Sequence, residues 1–255
     1  MKSLKVFNPF NAPVYHIDIV SSTMDISRQL ALNGEPHGTV ILADFQEEGR
    51  GRIKGRQWLC EEGKNLMFTV LLRFKNMENI PQALTLRAGL AVSLAIEDFL
   101  PDLKDTVKVK WPNDIIINDK KIAGILCEAD GGNVHIGIGI NVSQKEFPAN
   151  LSGKAASISL VANKDIPPSD NSRLLEKILN RLFDEIKNNT FDWKYLLEKR
   201  FYKVNEIVAF IEGAADSGRV VKGRLTGIGN DGEILILPDG ETQSRSFFNG
   251  ELVIE

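Results

Sequence analysis

Three apolar segments joined by two tight turns constrain the fold of this chain more than any other feature. The segments are residues 115–117, 122–128 and 134–142, and the turns between them are residues 118–120 and 131–133. Turns this short join antiparallel neighbours, because a parallel connection needs a crossover of about a dozen residues or more. The middle of the chain is therefore predicted to form an antiparallel sheet.

The flanking sequence alternates between helical and extended patterns. Apolar side chains recur with helical spacing along the longest helix at Leu84, Ala88, Ala91, Val92, Ala95, Ile96 and Phe99. Helices are predicted over residues 25–32, 82–100, 172–187 and 192–200, and further strands over 39–45, 66–74 and 107–111. Strands paired by turns, with helices inserted between them, predict an α+β domain.

After about residue 202 the pattern changes to short strands separated by turns. The predicted strands are residues 207–211, 219–227, 233–237, 242–248 and 252–254. A run of about 50 residues of this kind is typical of a small β-barrel. We expect two domains, residues 1–201 and residues 202–255.

Composition excludes several classes of function. With 43% hydrophobic and 25% charged residues, the 255-residue chain can bury a sizeable core. A net charge of −3 gives no general affinity for nucleic acid or an anionic membrane, because both need a clustered excess of lysine and arginine. The chain has no run of ~18 apolar residues that would predict a membrane span, and residues 1–15 do not read as a signal peptide.

The cysteines and histidines indicate no metal or disulfide framework. Cys60 and Cys127 are far apart and lack CxxC spacing, which predicts free thiols and a reducing, cytoplasmic setting. His16, His37 and His135 are not spaced as a ligand set, so the sequence gives little support for a structural zinc ion.

Residues 49–58 (GRGRIKGRQW), called the arginine loop below, concentrate four cations, three glycines and a tryptophan between two apolar strands. Glycine lets a backbone approach a ligand closely, and arginine binds phosphate oxygens in charge-assisted pairs. The flat ring of Trp58 can cover a heterocycle. Taken alone, the segment is equally well interpreted as a solvated loop whose arginines face water.

Two further segments place unusual groups in or beside a strand. Residues 110–114 (KWPND) end a strand with a proline and polar groups that equally form a turn with their own backbone. Lys121 begins the next strand, where a lysine is usually only a solubilising charge. Gly137 and Gly139 share one face of residues 137–141 (GIGIN), which indicates a closely packed ligand or backbone, or a bulge.

Together and in this order, these segments resemble the biotin protein ligases. That family carries a Ser-Thr helix start, a GRGRxGRxW loop, a KWPND turn, a K-[IL]-AGIL strand and a GxGIN strand. Here the corresponding segments are residues 22–23, 49–58, 110–114, 121–126 and 137–141. The resemblance runs from about residue 21 to the C-terminus. It implies a mixed-sheet catalytic domain of the class II synthetase-like, biotin/lipoate ligase type, followed by a small SH3-like barrel.

The resemblance implies an enzyme with a two-step reaction. The biotin carboxylate attacks the α-phosphate of MgATP and expels diphosphate, and the resulting biotinyl-5'-AMP is attacked by a lysine of a biotin carboxyl carrier domain. A site rich in arginine and lysine suits the meeting of two anions in the first step. ATP and Mg²⁺ are the implied cofactors and a carrier protein the implied partner. The metal ligands, the identity of the carrier and the choice between monomer and homodimer stay open.

The resemblance assigns residues to biotin. Ser22, Thr23 and Gln46 would bond the ureido ring, and three glycines would line the slot for the fused rings and valeryl chain. The implied biotin-binding set is Ser22, Thr23, Gln46, Gly49, Arg50, Arg52, Lys121, Gly124, Gly137 and Gly139.

It also assigns residues to ATP and to catalysis. The implied ATP-binding set is Arg50, Arg52, Arg56, Trp58, Lys110, Asn113 and Asn141, with Trp58 covering the adenine. Lys121 and Arg52 would stabilise the charge that develops on the carboxylate and α-phosphate. Asp114 would orient or deprotonate the incoming lysine, which at a pKa of about 10.4 arrives mostly protonated.

The chain departs from the family pattern at two positions. Ile53 and Lys54 both stand where the family has one residue, so we expect a longer loop tip with Arg50 and Arg52 in place. Met24 stands where asparagine is usual, so an amide is lost beside the biotin ring.

The arginine loop is also predicted to move. Its three glycines are costly to order, and its cations repel one another unless an anion lies among them. We therefore expect it to be mobile without ligand and to close over the adenylate, which would exclude water from a readily hydrolysed anhydride.

Two rival functions stay open. A lipoate protein ligase is similar in fold and in adenylating chemistry, although the KWPND and GRGR segments and the C-terminal barrel favour biotin. A non-catalytic biotin- or nucleotide-binding module, inactivated by the loop insertion, is the second. Only about twenty residues precede the Ser-Thr segment, which leaves no room for the DNA-binding domain of longer family members. We therefore expect a short form that binds no DNA.

Overall fold

The computed structural model describes residues 1–187, 192–213 and 218–253. Within these ranges the chain forms an eight-stranded sheet and a five-stranded sheet, with helices packed on the larger one. The α+β class is confirmed.

The larger sheet is mixed. Its strands are β1 (Lys2–Ser3), β2 (Val14–Val20), β3 (Thr39–Gln46), β4 (Asn65–Arg73), β5 (Lys108–Lys110), β6 (Asp114–Ile117), β7 (Lys120–Asp130) and β8 (Asn133–Asn141). They lie in the order β1-β2-β3-β4-β8-β7-β6-β5. The β2–β3 pair is parallel and the other described pairs are antiparallel.

Strands β6, β7 and β8 confirm the predicted antiparallel segment. Asn118 and Asp119 turn the chain between β6 and β7 with φ of 50° and 60°, and Gly131 and Gly132 do so between β7 and β8 with φ of 50° and 94°. Asparagine, aspartate and glycine are the residues that best tolerate this left-handed region. The turn residues therefore explain why the three strands can follow one another so closely.

Five helices are described. They are α1 (Thr23–Leu32), α2 (Leu84–Phe99), α3 (Ile158–Ala162), α4 (Asn171–Lys187) and α5 (Trp193–Glu198). The four predicted helices are confirmed, and α3 was not predicted. Ser22 caps α1 by accepting a hydrogen bond from the backbone N–H of Met24. All seven apolar residues predicted on one face of the longest helix are buried in α2.

The strands show on which side of the sheet α2 lies. A Cβ built on Gly89 of α2 would lie 3.8 Å from Ile115, so β6 turns Ile115 toward this helix. Ile115 pairs with Ala123 of β7. Because successive side chains point to opposite faces of a strand, Gly124 faces away from α2. The face of the sheet that carries Gly124 is therefore not covered by α2.

The strand β2 was not predicted from the sequence. Its segment VYHIDIV alternates in polarity, but it follows a proline-rich stretch that breaks the pattern. The two-residue strand β1 is its outer neighbour, which leaves Asp18 and Ile19 exposed. Exposure at a sheet edge thus removed the apolar signal that marks a buried strand.

The smaller sheet is antiparallel and begins at Ile207. Its strands are β9 (Ile207–Glu212), β10 (Arg219–Ile228), β11 (Ile234–Pro238), β12 (Arg245–Phe247) and β13 (Gly250–Leu252), in the order β12-β11-β10-β9-β13. The five predicted strands are confirmed with ends that differ by one to three residues, and Ile254 of the last one lies outside the described residues.

The two sheets are joined by packing and by hydrogen bonds. The backbone of Val109 in β5 bonds Arg200 and Tyr202 at 2.8 and 3.0 Å. The indole N–H of Trp111 donates to the carbonyl of Gly232 at 3.0 Å. No described strand belongs to both sheets. The division of the chain at residues 201 and 202 stays a prediction.

Among the described residues, no helix combines the length and the apolar character needed to cross a bilayer.

Candidate active site

A cavity of about 800 Å³ lies between the sheet face opposite α2, the start of α1, the arginine loop and the smaller sheet. Among the predicted site residues, Gly49 is the one that does not line it. The lining includes Ser22, Thr23, Gln46, Arg50, Arg52, Arg56, Trp58, Lys110, Asn113, Asp114, Lys121, Gly124, Gly137, Gly139 and Asn141. The structure thus brings segments from both halves of the eight-stranded sheet around one space.

Hydroxyl and amide groups form one end of the cavity. The side-chain oxygen of Gln46 accepts hydrogen bonds from the backbone N–H and the hydroxyl of Thr23 at 2.8 and 2.9 Å. The hydroxyl of Thr69 in β4 donates to the hydroxyl of Thr23 at 2.8 Å. Ser22 and Thr23 are both buried. This linked network holds polar groups in place for a polar ring.

Three glycines, Gly124, Gly137 and Gly139, form what we call the glycine floor. A Cβ at Gly139 would lie 2.6 Å from the ring of Trp58, and one at Gly124 would lie 3.2 Å from it. A Cβ at Gly137 would lie 2.7 Å from the sulfur of Met24. Each glycine therefore makes room for a protein side chain. The ring of Trp58, predicted over adenine, lies against two glycines predicted to line the biotin slot.

Backbone hydrogen bonds fold the arginine loop into a hairpin. Its base is closed by the N–H of Trp58, which donates to the carbonyl of Gly49 at 2.8 Å. Its tip is closed by the N–H of Arg56, which donates to the carbonyl of Ile53 at 3.0 Å. The additional residue at Ile53 and Lys54 lies in this tip. A Cβ at Gly49 would lie 2.9 Å from the carbonyl of Trp58, so this glycine serves the hairpin itself.

Each arginine of the arginine loop bonds a protein acceptor. Arg50 donates to the carboxylate of Asp25 at 2.5 Å. Arg52 donates to the carbonyl of Gly250 at 2.7 Å, and Arg56 donates to the carboxylate of Glu251 at 2.8 Å. Carboxylates of the protein already lie among these cations. Acceptors from α1 and from β13 already offset the repulsion. The motion of the loop and its closure over the adenylate stay predictions.

Two lysines flank Asp114, the first residue of β6. Its carboxylate lies 2.6 Å from the ammonium of Lys121 and 3.9 Å from that of Lys110. Burial lowers the pKa of Lys110, and the charge of Asp114 opposes that shift. The ammonium of Lys121 also lies 5.8 Å from the centre of the Trp58 ring. Positive charge is thus concentrated beside the glycine floor.

The two predicted asparagines hold backbone near the cavity. The side-chain amide of Asn113 donates to the carbonyl of Ile125 at 2.8 Å, and that of Asn141 donates to the carbonyl of Ala156 at 3.2 Å. Both residues line the cavity. Their predicted contact with the nucleotide stays a prediction.

The sequence did not predict two groups of lining residues. They are Phe147, Pro148, Asn150, Leu151 and Lys154 after β8, and Ile211, Glu251, Leu252 and Val253 of the smaller sheet. The first group carries no helical or alternating pattern. The second approaches the arginine loop across 195 residues of sequence, as in the pair of Glu251 with Arg56. No local signal could have found it.

A separate cluster on β2 and β3 has metal-ligand chemistry. His16 lies between Asp44, 2.9 Å from its Nε2, and Asp18, 3.7 Å from its Nδ1. Each carboxylate faces a different ring nitrogen, so the imidazole itself fills the space between them.

The comparisons with known proteins agree with this geometry. The model of the family described as "Biotin/lipoate A/B protein ligase family" matches residues 16–144. The chain is 40% identical over 174 residues to the "Bifunctional ligase/repressor BirA" of Bacillus subtilis, a match that covers 65% of this chain and 51% of that protein. The chain thus spans about half the length of the curated relatives it matches.

Two solved structures match nearly the whole chain. A variant of the biotin protein ligase from Aquifex aeolicus in complex with biotin shares 30% identity and a TM-score of 0.77, with 95% of this chain and 97% of that chain covered. The ligase from the same organism in complex with biotin and ATP shares 28% identity and a TM-score of 0.74, with 94% and 97% covered.

Proposed function

The chain belongs to the biotin/lipoate A/B protein ligase family, and from this premise we propose that it is a biotin protein ligase. It forms biotinyl-5'-AMP from biotin and ATP and transfers biotin to a lysine of a carrier domain. One observation carries the proposal. A single cavity has a hydroxyl and amide end, a glycine floor and a cationic side.

Biotin lies along this cavity with its two ends recognised differently. The ureido ring meets the network of Ser22, Thr23 and Gln46, whose groups can donate and accept hydrogen bonds. The fused rings and valeryl chain lie over the glycine floor. The ring of Trp58 lies against Gly124 and Gly139, so it moves to the nucleotide side when biotin occupies the slot.

Positive charge lowers the barrier of the first step. The biotin carboxylate attacks the α-phosphorus, a C–O–P bond forms, and diphosphate leaves. Lys121 lies beside the glycine floor and turns from Asp114 to the oxygens where negative charge develops. Arg52 supplies a second cation from the arginine loop.

The second step needs a free amine. When Lys121 contacts the adenylate, Asp114 loses the partner that lies 2.6 Å away and can orient the incoming lysine and accept its proton. The amine attacks the biotinyl carbonyl carbon, the bond to AMP breaks, and an amide remains. The partner is therefore a biotin carboxyl carrier protein or domain.

Magnesium arrives with ATP in this proposal. Among the described lining residues the carboxylates are Asp114 and Glu251, and each is paired with a cation. Such a donor set fits a Mg²⁺ ion carried on the phosphates of ATP better than a resident ion.

The domain division is part of the same proposal. Residues 1–201 supply the slot and residues 202–255 supply the acceptors for Arg52 and Arg56. A reducing cytoplasm suits Cys60 and Cys127, which are both free thiols.

Two assays test the function. The purified protein with MgATP and biotin should make a biotin carrier domain streptavidin-reactive. ATP–diphosphate exchange should depend on biotin and not on lipoate. Exchange with lipoate alone would make the protein a lipoate ligase, and absence of exchange with either acid would leave a binding module.

A further inference from the structure

An ion network that begins outside the cavity binds the first arginine of the loop. The carboxylate of Asp25, in the first turn of α1, binds both terminal nitrogens of Arg50, at 2.5 and 3.1 Å. The same carboxylate accepts a bond from Arg28 at 3.0 Å, and Arg28 also bonds Glu128 of β7. Four charges of alternating sign thus connect α1, the arginine loop and β7.

The position of Asp25 gives this network a purpose. Asp25 does not line the cavity, whereas Arg50 does. Asp25 also follows Ser22 by three residues and Thr23 by two, at the start of the same helix. The Asp25–Arg50 pair therefore fixes the distance between the hydroxyl end of the cavity and the arginine loop.

Both partners keep their charge in the folded chain. Hydrogen bonding to Arg50 holds the pKa of Asp25 below its usual value, and the same bond raises the pKa of Arg50. A bidentate pair also fixes the plane of a guanidinium, which a single hydrogen bond does not. Two donor nitrogens of Arg50 are thereby aimed at Asp25, and the remaining N–H groups can meet an anion in the cavity.

We propose that Asp25 is a positioning residue for the ligase reaction, one that holds Arg50 and through it latches the arginine loop over the cavity. It touches neither biotin nor ATP. The expected effect of Asp25 on catalysis rests on the proposed function, whereas its expected effect on the arginine loop does not.

The first test is made without any ligand. Amide hydrogen exchange of the arginine loop is measured in the wild type, in Asp25→Asn and in Glu48→Gln. Glu48 is an exposed carboxylate two residues before Arg50 that acts on Arg50 by its charge alone, so its substitution removes the same charge and leaves the hydrogen bonds of the Asp25–Arg50 pair in place. Exchange should rise about tenfold in Asp25→Asn, because a charge-assisted bidentate pair is lost, and stay unchanged in Glu48→Gln. Equal exchange in all three proteins would overturn the latch.

The second test is a double-mutant cycle in single-turnover adenylate formation. Asp25→Asn should slow the step about tenfold in the wild-type background and should add nothing in an Arg50→Gln background. Asp25→Glu keeps the carboxylate and should restore most of the rate. A loss that is equally large in both backgrounds would show that Asp25 acts independently of Arg50.

The two tests separate the proposals. If the wild type forms no adenylate, the ligase function fails while hydrogen exchange still decides the latch. If Asp25→Asn does not fold, as shown by its thermal unfolding, Arg50→Gln replaces it in the exchange experiment with the same expected result.

Discussion

The two walls of the cavity are built by opposite means. The glycine floor lies on β7 and β8, where backbone hydrogen bonds run along the strands and the neighbouring side chains are largely buried. The arginine loop is held by a short hairpin and by side-chain bonds to α1 and β13. Buried strands resist change, whereas ion pairs between partly exposed side chains are weakened by salt. The difference agrees with the proposal that the floor sets the shape of the biotin slot and that the loop closes over it.

The largest effect should come from the charge beside the floor. We expect Lys121→Ala to slow adenylate formation by ~10²–10³-fold, since one positive group is removed from the place where negative charge develops. Single-turnover kinetics measure this, with Lys120→Ala as the control because that neighbouring lysine is exposed. Near-normal kinetics in Lys121→Ala would show that the positive charge beside the glycine floor does not stabilise the first transition state.

A smaller effect should follow from filling the floor itself. Gly139→Ala places a Cβ in the slot that the fused rings of biotin occupy, at a point 2.6 Å from the present position of the Trp58 ring. We expect biotin to bind about ten- to hundredfold more weakly by calorimetry. Gly51→Ala is the matched control in the arginine loop, because its Cβ would meet Arg56 at an ordinary 3.5 Å. Equal losses of biotin affinity in Gly51→Ala and Gly139→Ala would show that the two walls of the cavity do not differ in this respect.

The smallest effect should come from one tie of the loop to the smaller sheet. Glu251→Gln removes the ion pair with Arg56, whose side chain is 54% exposed. We expect the KM for ATP to rise about threefold with little change in kcat, as suits a partly solvated pair. Glu212→Gln, an exposed carboxylate on β9, is the control. A large fall in kcat would place Glu251 in the chemistry rather than in the loop's support.

The sequence predicted the floor better than the loop for a physical reason. Strand alternation and turn residues are local, so β6, β7 and β8 followed from residues 115–142. The resemblance to a family then identified the site residues, which line one cavity apart from Gly49. The acceptors of Arg50, Arg52 and Arg56 depend on tertiary contacts across 25, 198 and 195 residues, and no periodicity encodes such pairs.

The position of Trp58 marks the same boundary. Its indole ring was predicted over adenine, and the structure sets it on Gly124 and Gly139. The sequence shows that these glycines leave space, but not which side chain fills that space. Met24 is similar, because its sulfur occupies the room left by Gly137.

The bond from Arg52 to the carbonyl of Gly250 has a consequence for the timing of synthesis. A ribosome completes the arginine loop about 200 residues before it adds this acceptor. During that interval the nascent chain can assemble the glycine floor but has no complete wall to close over it. A ligase that acted then would release its reactive intermediate into solution. In the proposed ligase, retention of the adenylate therefore depends on residues as far along the chain as Gly250 of β13.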